Sequence, residues 1–373
     1  QTAEISDKNL AVLAITNQRE TIVVWDKETG IPVYNAIVWQ CRRTSDSCKA
    51  LKENGYENMI HAKTGLTADP YFSASKIKWI FDHVEGVKEK AWEGKLLVGT
   101  IDSWLIWNLT GGMVHATDYT NASRTLLFNI HTLGWDQELL DLFEIPSSML
   151  PEVKSSNDSF GVTKDENLPF RDLVISGVIG DSQGALFGQK CFEPGMAKAT
   201  YGTGTSVMMH TGELVKSQNG LVTSIAWGID GRVDYALEGI IHCTGDVIKW
   251  IKDQLELIDD MSEVEKLATS IQDNEGVYLV PAFVGLGAPY WSPYTRAAII
   301  GMSRNTGKAH IVRAGLESIA YQVNDCIELL VNESNIPIKK VNVDGGATSN
   351  QFLMQFQADM LGIDVSASQV SEL

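Results

Sequence analysis

Leu173-Val174-Ile175-Ser176-Gly177-Val178-Ile179-Gly180-Asp181 is the stretch that decides how this chain folds. An apolar run rich in Val and Ile that closes on Gly-Asp reads as a buried strand delivering one carboxylate to its carboxyl end. In α/β sheets that edge is where ligands bind. Downstream comes Tyr201-Gly202-Thr203-Gly204-Thr205. Its glycines let backbone N–H groups and hydroxyls come close to phosphate oxygens. A lone carboxylate beside a phosphate cradle fits phosphoryl transfer to a hydroxyl. The same residues also fit a strand-end Asp that caps the next helix, followed by an ordinary turn.

On the amino-terminal side of this stretch, residues 11–16 and 21–25 read as two strands joined by the polar corner Asn17-Gln18-Arg19-Glu20. A short strand is expected around Ile37-Val38-Trp39, and helices at about 44–54 and 75–90, the latter with Ile77, Ile80 and Phe81 at helical spacing. Leu96 to Trp107 reads as a strand running into a helix that starts at Ile101-Asp102. Residues 151–172 are polar and predict a loop and hairpin. Beyond Gly188 the pattern restarts, with strands at 196–201, 205–210, 221–227 and 232–237 and helices at 243–254 and 262–271. Strand 278–282, a long helix over 308–333 and strand 340–344, which opens Asp344-Gly345-Gly346, complete the pattern. This implies two domains, 1–189 and 190–373, divided in the stretch from Gly188 to Gly195.

The bulk composition narrows the function classes. With 44% apolar and 21% charged residues, the 373-residue chain has the balance of a globular protein. No uninterrupted apolar run approaches the ~18 residues of a membrane span. Gln1-Thr2-Ala3-Glu4 reads as neither a signal nor a transit peptide, so a cytoplasmic location is expected. A net charge of −17 with only short basic clusters disfavours nucleic acid as a partner. Cys41, Cys48, Cys191, Cys243 and Cys326 are odd in number and scattered, which fits reduced thiols better than a disulfide frame or a zinc site.

Three groups of residues carry the chemistry. Arg19 and Glu20 can donate to and accept from neighbouring hydroxyls, as polyol binding requires, or form a surface ion pair at a hairpin tip. Trp39 and Tyr71 can wall a carbon chain, or serve as ordinary core aromatics. The Gly turns at 202–204 and 345–346 both follow strands and precede helices, the arrangement that a phosphate or adenine pocket needs.

Taken together, the motifs resemble the FGGY family of carbohydrate kinases. Tyr71-Phe72-Ser73-Ala74-Ser75-Lys76-Ile77-Lys78-Trp79-Ile80-Phe81-Asp82-His83 is similar to the family's first signature. Ala297-Ala298-Ile299-Ile300-Gly301-Met302 with His310-Ile311-Val312-Arg313-Ala314-Gly315-Leu316-Glu317 resembles the second, with Gly315 as a departure. Thr16 to Thr21, Trp39 to Arg43, Asp118 to Thr125 and Gly285 to Trp291 add to a resemblance that covers essentially the whole chain. It implies an α/β, two-domain actin-like ATPase (ribonuclease H-like) fold with an inter-domain active-site cleft. It also implies ATP-dependent phosphorylation of a polyol, glycerol first, with ATP and Mg²⁺, in a cytoplasmic homodimer or homotetramer. Asp181 would be the general base and the residue nearest the metal. Arg19, Glu20, Trp39, Tyr71, Asp181 and Ser182 would meet the substrate, and Thr203, Gly245, Lys249, Gly346 and Asn350 the nucleotide.

Departures from the family pattern bear on substrate choice. Ser182 stands where Gln is usual, Ser206 where an aromatic is usual, and Lys249 where Gln is expected. The change at 206 opens room, so erythritol, dihydroxyacetone or xylitol are alternative substrates, and a non-catalytic ligand-binding protein on the same fold is a further alternative. The family's Asp-x-Gly-Thr-Thr-Ser phosphate loop, expected upstream of Arg19, is not in the sequence. Nor is its Thr-Ala-Leu-Gly helix after Leu373, so the chain reads as an interior portion of a longer protein.

Overall fold

Two strands at the amino-terminal end, β1 (Leu13–Asn17) and β2 (Ile22–Asp26), flank the polar corner in a computed structural model of the protein. The structure describes residues 9–164, 168 and 172–368. The stretches 1–4 and 371–373 quoted above lie outside them, and the loop expected over 151–172 is described only in part.

The chain forms two compact units. The first runs from the amino-terminal side to Gly184 and includes Ser224–Tyr235; the second comprises Ala185–Thr223 and the residues from Ala236 onward. In the first unit, helices α1 (Ser45–Glu53), α2 (Glu57–Thr64), α3 (Ala74–His83) and α4 (Val87–Trp92) precede β3 (Leu96–Thr100) and α5 (Ile101–Leu109). There follow β4 (Ala116–Asp118), α6 (Tyr119–Ala122), the two-residue strands β5 (Phe128–Asn129) and β6 (Gly134–Trp135), α7 (Gln137–Phe143), β7 (Glu152–Lys154) and β8 (Ile175–Gly180). Helix α8 (Asp181–Gly188) starts directly on the last of these strands.

The expected helix over 75–90 is two helices. Val84 leaves the helical conformation at φ −113°, and Gly86 turns the chain at φ 73°. The interruption lets Ile77, Ile80 and Phe81 of α3 and Val87 and Ala91 of α4 all be buried. Ile37–Trp39 is not a strand; a single bridge ties Ile37 to Ile22. Cores of this unit form around Ile15, Ile106, Phe160, Ile175 and Val178, and around Val23, Trp25 and Leu97.

β1 and β8 pair in parallel, with Asn17 opposite Gly180. This pairing of segments far apart in sequence puts the corner after β1 and the carboxylate after β8 at one edge, because parallel partners end on the same side.

The second unit is built on a six-stranded sheet. Its strands are β9 (Ala197–Tyr201), β10 (Thr205–Gly212), β11 (Val222–Ile229), β12 (Arg232–Ile241), β15 (Lys340–Asp344) and β16 (Asp364–Ala367), in the order β11-β12-β10-β9-β15-β16. β15 lies parallel to both β9 and β16, while β9 and β10 are antiparallel. β13 (Tyr278–Val280) and β14 (Ala298–Ile300) form a separate antiparallel pair. The helices are α9 (Gly245–Asp253), α10 (Glu263–Thr269), α11 (Lys308–Ser334) and α12 (Gln351–Leu361). A continuous core gathers Val207, Leu237, Val247, Ile319, Val323 and Val343. α11 passes through that core, and its buried positions include Gly315, where a Cβ would fall 2.7 Å from Ile251 Cδ1. All five cysteines are free thiols. Among the described residues no helix is long and apolar enough to cross a membrane.

Candidate active site

In the first unit the corner after β1 is a tight reversal, not a continued strand. The Thr21 N–H donates to the Arg19 carbonyl at 2.6 Å, and Glu20 takes φ 61°. A non-glycine residue in that region costs about 1 kcal/mol or more. The turn removes the alternation that would send Arg19 and Glu20 to opposite faces. Both side chains are buried, with Arg19 Nε 3.7 Å from Glu20 Oε1 and 3.4 Å from Asp181 Oδ1. The surface-pair reading of Arg19-Glu20 therefore does not hold. Asp181, the first residue of α8, keeps 53% of its side chain exposed. Its Oδ1 also accepts the Ser182 N–H at 2.6 Å.

Further side chains fix this cluster. Arg124 is fully buried; its Nε donates to Glu20 Oε1 at 2.6 Å and its Nη1 to Ser224 Oγ at 2.6 Å. The guanidinium also lies 5.2 Å from the centre of the Phe72 ring. Gln183, buried, accepts from Arg19 Nη1 at 3.1 Å and donates to the Ile225 carbonyl at 3.2 Å. Neither Arg124 nor Gln183 was singled out from sequence. Arg124 lies inside the motif Asp118–Thr125, but nothing in its spacing distinguishes it from a surface arginine.

Trp39 and Tyr71 come together, with ring centres 5.4 Å apart and planes at 56°. Tyr71 is buried and Trp39 half-buried. The Trp39 N–H donates to Thr21 Oγ1 at 3.3 Å, and Ser73 Oγ donates to the Glu20 carbonyl at 3.0 Å, so both aromatics are tied to the Arg19–Glu20 corner. Ser182 is partly exposed beside Asp181.

A second anchor holds the end of β8. The Gly180 N–H donates to Thr120 Oγ1 at 2.8 Å, and that hydroxyl donates to the buried Asp118 at 2.8 Å. Ser156 Oγ donates to the same carboxylate at 2.7 Å. Burial raises the Asp118 carboxyl above the ordinary range, against the hydrogen bonds from Asn121, Ser156 and Thr120 that favour its charged form.

The second unit brings its glycine turns together. Gly202 N–H bonds the Gly204 carbonyl at 2.9 Å, closing a tight turn with Gly202 and Thr203 exposed at its tip. The Thr244 N–H donates to the Thr203 carbonyl at 2.9 Å and the Gly245 N–H to the Gly202 carbonyl at 3.0 Å, so the start of α9 docks on the turn. A Cβ on Gly245 would fall 2.6 Å from Gly202 O, and one on Gly345 2.3 Å from Tyr201 O at φ 96°. Gly346 faces open space. Asn350 caps α12, its side chain accepting the Leu353 N–H at 2.9 Å, and Lys249 is exposed one turn into α9. Thr203, Gly245 and the 345–346 turn are thus assembled around the ends of β9 and β15, while Asn350 and Lys249 stand apart from the turn on helix starts. Ser206 Oγ donates to the buried Glu238 at 2.8 Å and accepts from the buried Lys198 at 3.3 Å. The hydroxyl is therefore part of an internal polar network.

The chain matches the model of the FGGY family of carbohydrate kinases, N-terminal domain, over residues 1–188 and that of the C-terminal domain over residues 197–373. It is 55% identical to glycerol kinase of Alkaliphilus metalliredigens over 373 residues, covering 100% of this chain and 75% of that protein. Against glycerol kinase of Clostridium botulinum it is 58% identical over 371 residues, 99% of this chain and 74% of the other. Among solved structures it is similar to Plasmodium falciparum glycerol kinase with ADP at a TM-score of 0.90 and 41% identity, covering 97% of this chain and 72% of that one. The two domain models leave only a short connector of the sequence unmatched, and the chain belongs to the FGGY family of carbohydrate kinases.

Proposed function

We infer that this protein transfers the γ-phosphoryl group of ATP to glycerol, giving sn-glycerol 3-phosphate. The observation that carries this reading is the buried Arg19–Glu20 pair beside a half-exposed Asp181 at one strand edge. Arginine donors and a carboxylate acceptor match adjacent hydroxyls, and the Trp39–Tyr71 wall matches the carbon chain between them. Glycerol is the acceptor named for the relatives at 55% and 58% identity. The domain division at 189/190, with the polyol residues in the first domain and the nucleotide residues in the second, is part of the same reading. So are a cytoplasmic location and a homodimer or homotetramer as the working form.

The residues present fit ATP. Gly204, Gly245 and Gly345 sit where a Cβ would collide with backbone, so the turns come closer together than side chains permit, and Gly346 leaves open space beside them. Thr203, Gly245, Gly346 and Asn350 would hold the nucleotide, with Lys249 supplying positive charge near it. Mg²⁺ takes oxygen donors, commonly one or two carboxylates together with substrate phosphates, and the exposed carboxylate of Asp181 fits that donor set. The metal, when bound, neutralises charge on the phosphates.

The chain's own residues then do the following. Arg19 and Glu20 fix two polyol hydroxyls, and the third points at Asp181. Oδ1 of Asp181 is engaged by Ser182 N–H and Arg19, so Oδ2 receives the hydroxyl proton as the oxygen attacks phosphorus. An ordinary aspartate is a weak base, so its larger contribution is to orient the nucleophile. Ser182 lines the same end of the substrate. Assaying ATP-dependent phosphorylation of glycerol beside erythritol, dihydroxyacetone and xylitol tests the reading. Turnover with glycerol as the best acceptor is expected; a clear preference for another polyol would move the assignment to that substrate.

A further inference from the structure

Beneath the Arg19–Glu20 corner lies a charged group to which the proposed reaction gives no part. Lys76, in the first turn of α3, is fully buried. Its Nζ donates to the carbonyl of Tyr71 at 2.6 Å. Helical side chains lean back toward the helix N-terminus, so this lysine reaches the loop that carries Tyr71. The other polar backbone group of Tyr71 is held as well. Its N–H donates to Asp69 Oδ1 at 2.9 Å, and Arg42 Nη1 donates to that same oxygen at 2.9 Å. Both faces of the Tyr71 peptide are thus fixed by charged side chains.

The groups that face Lys76 come from each neighbouring segment: Glu20 from the β1–β2 corner, Cys41 from the loop before α1, Cys48 from α1 and Asp69 from the loop before α3. Burial pulls the ammonium down to about 8, against the attraction of Glu20 and Asp69. An apolar side chain of the same length would fill this space without the cost of burying a charge. A lysine there has a polar task, and the groups within its reach are the Tyr71 carbonyl and the Glu20 carboxylate.

We propose that Lys76 is a positioning residue for the polyol: its ammonium pins the Tyr71 carbonyl and balances Glu20 from below, so that ring and carboxylate keep one geometry toward the substrate. This rests on the polyol reading of the corner. The test is the steady-state kinetics of the full chain and of Lys76→Met and Lys76→Arg, with glycerol varied at saturating ATP across the range around pH 8. Lys76→Met should raise KM for glycerol about tenfold, with kcat held within about threefold and KM for ATP unmoved. Wild-type KM for glycerol should rise above pH 8, that rise should vanish in Lys76→Met, and Lys76→Arg should recover part of the affinity. A lysine with only a structural task would lower the melting temperature and leave KM and its pH limb in place, and that result overturns the proposal. Should Lys76→Met fail to fold, the wild-type profile decides, since a KM flat through pH 8 overturns it equally. Absence of any glycerol turnover in the wild type would sink the functional reading and this proposal together; turnover with an unmoved KM in the variant would sink the Lys76 assignment alone.

Discussion

Arg124 Nε donates to Glu20 Oε1 at 2.6 Å, and neither side chain reaches solvent. The pair matters because Glu20 is held in a left-handed conformation at the polyol corner, where a misaligned carboxylate would miss a hydroxyl. Replacing Arg124 by Ala leaves a buried carboxylate without its closest partner, a loss of about 3–5 kcal/mol in comparable pairs. Arg124→Lys keeps the charge but cannot span both Glu20 and Ser224, because an ammonium is not a fork. Both variants should melt lower, and Arg124→Lys should also bind glycerol more weakly. A thermal melt and a glycerol titration check this; a lysine variant equal to wild type in both would show that the fork geometry has no part.

Asp181 differs from its neighbours in being half exposed, as a group that must meet substrate should be. Asp181→Asn keeps the volume and the oxygen that accepts the Ser182 N–H, but cannot take a proton. Turnover should fall by roughly 10²–10⁴-fold, the range general acid–base groups supply. Glycerol affinity should stay within a few-fold, since Arg19, Glu20 and Tyr71 remain. Isothermal titration with glycerol beside the kinase assay separates the two effects. Near-normal turnover in the variant would remove Asp181 from the chemistry.

Much of this site was legible in the sequence because its signals are local. An apolar run closed by Gly-Asp, two glycine turns after strands and an Arg-Glu corner each announce themselves within a few residues. What could not be read is the partner of each buried charge. Lys76, Arg124 and Asp69 have the composition of surface residues, and only the fold shows that Tyr71, Glu20 and Arg42 await them. The positive φ of Glu20 was equally hidden, since glutamate is not a residue that favours it. The break between α3 and α4 was missed because helical periodicity in 75–90 ran across Val84–Gly86 without a proline to mark it. The bounds of β12 were read short because its last residues, Glu238 to Ile241, lack alternation: they are buried on both faces.

Two adjacent glycines in the second unit should respond differently to the same methyl group. Gly345 sits at φ 96°, and a Cβ there meets Tyr201 O at 2.3 Å, so Gly345→Ala should destabilise the fold by ~1–3 kcal/mol. Gly346 has no atom within 4 Å of its would-be Cβ, so Gly346→Ala should melt like wild type. If the open space beside Gly346 is where the nucleotide lies, that variant should nonetheless bind ATP more weakly. A melt paired with a titration of a non-hydrolysable ATP analogue gives both readings. Unchanged nucleotide affinity in a fully folded Gly346→Ala would place the nucleotide elsewhere.

Asp102 gives the first unit a pH signature of its own. It is fully buried; Thr100 Oγ1 donates to its Oδ1 at 2.5 Å and Thr117 Oγ1 to its Oδ2 at 2.6 Å. Burial raises its carboxyl to about 7, with the nearby charge of Asp118 adding to the shift and the two threonines opposing it. An unfolded aspartate titrates near 3.8, so the folded state holds the proton more tightly. The stabilisation from that proton is complete below pH 3.8 and is lost as pH rises through about 7. Asp102→Asn removes the titration while keeping a polar group between the threonines. The melting temperature of the variant relative to wild type should therefore climb as pH is raised from about 4 to about 7, and level off above that. The climb should amount to several degrees, at ~2–4 °C for each kcal/mol in a domain of this size. A difference in melting temperature that stays constant across that window would mean that Asp102 is ionised throughout and that its hydrogen bonds outweigh its burial.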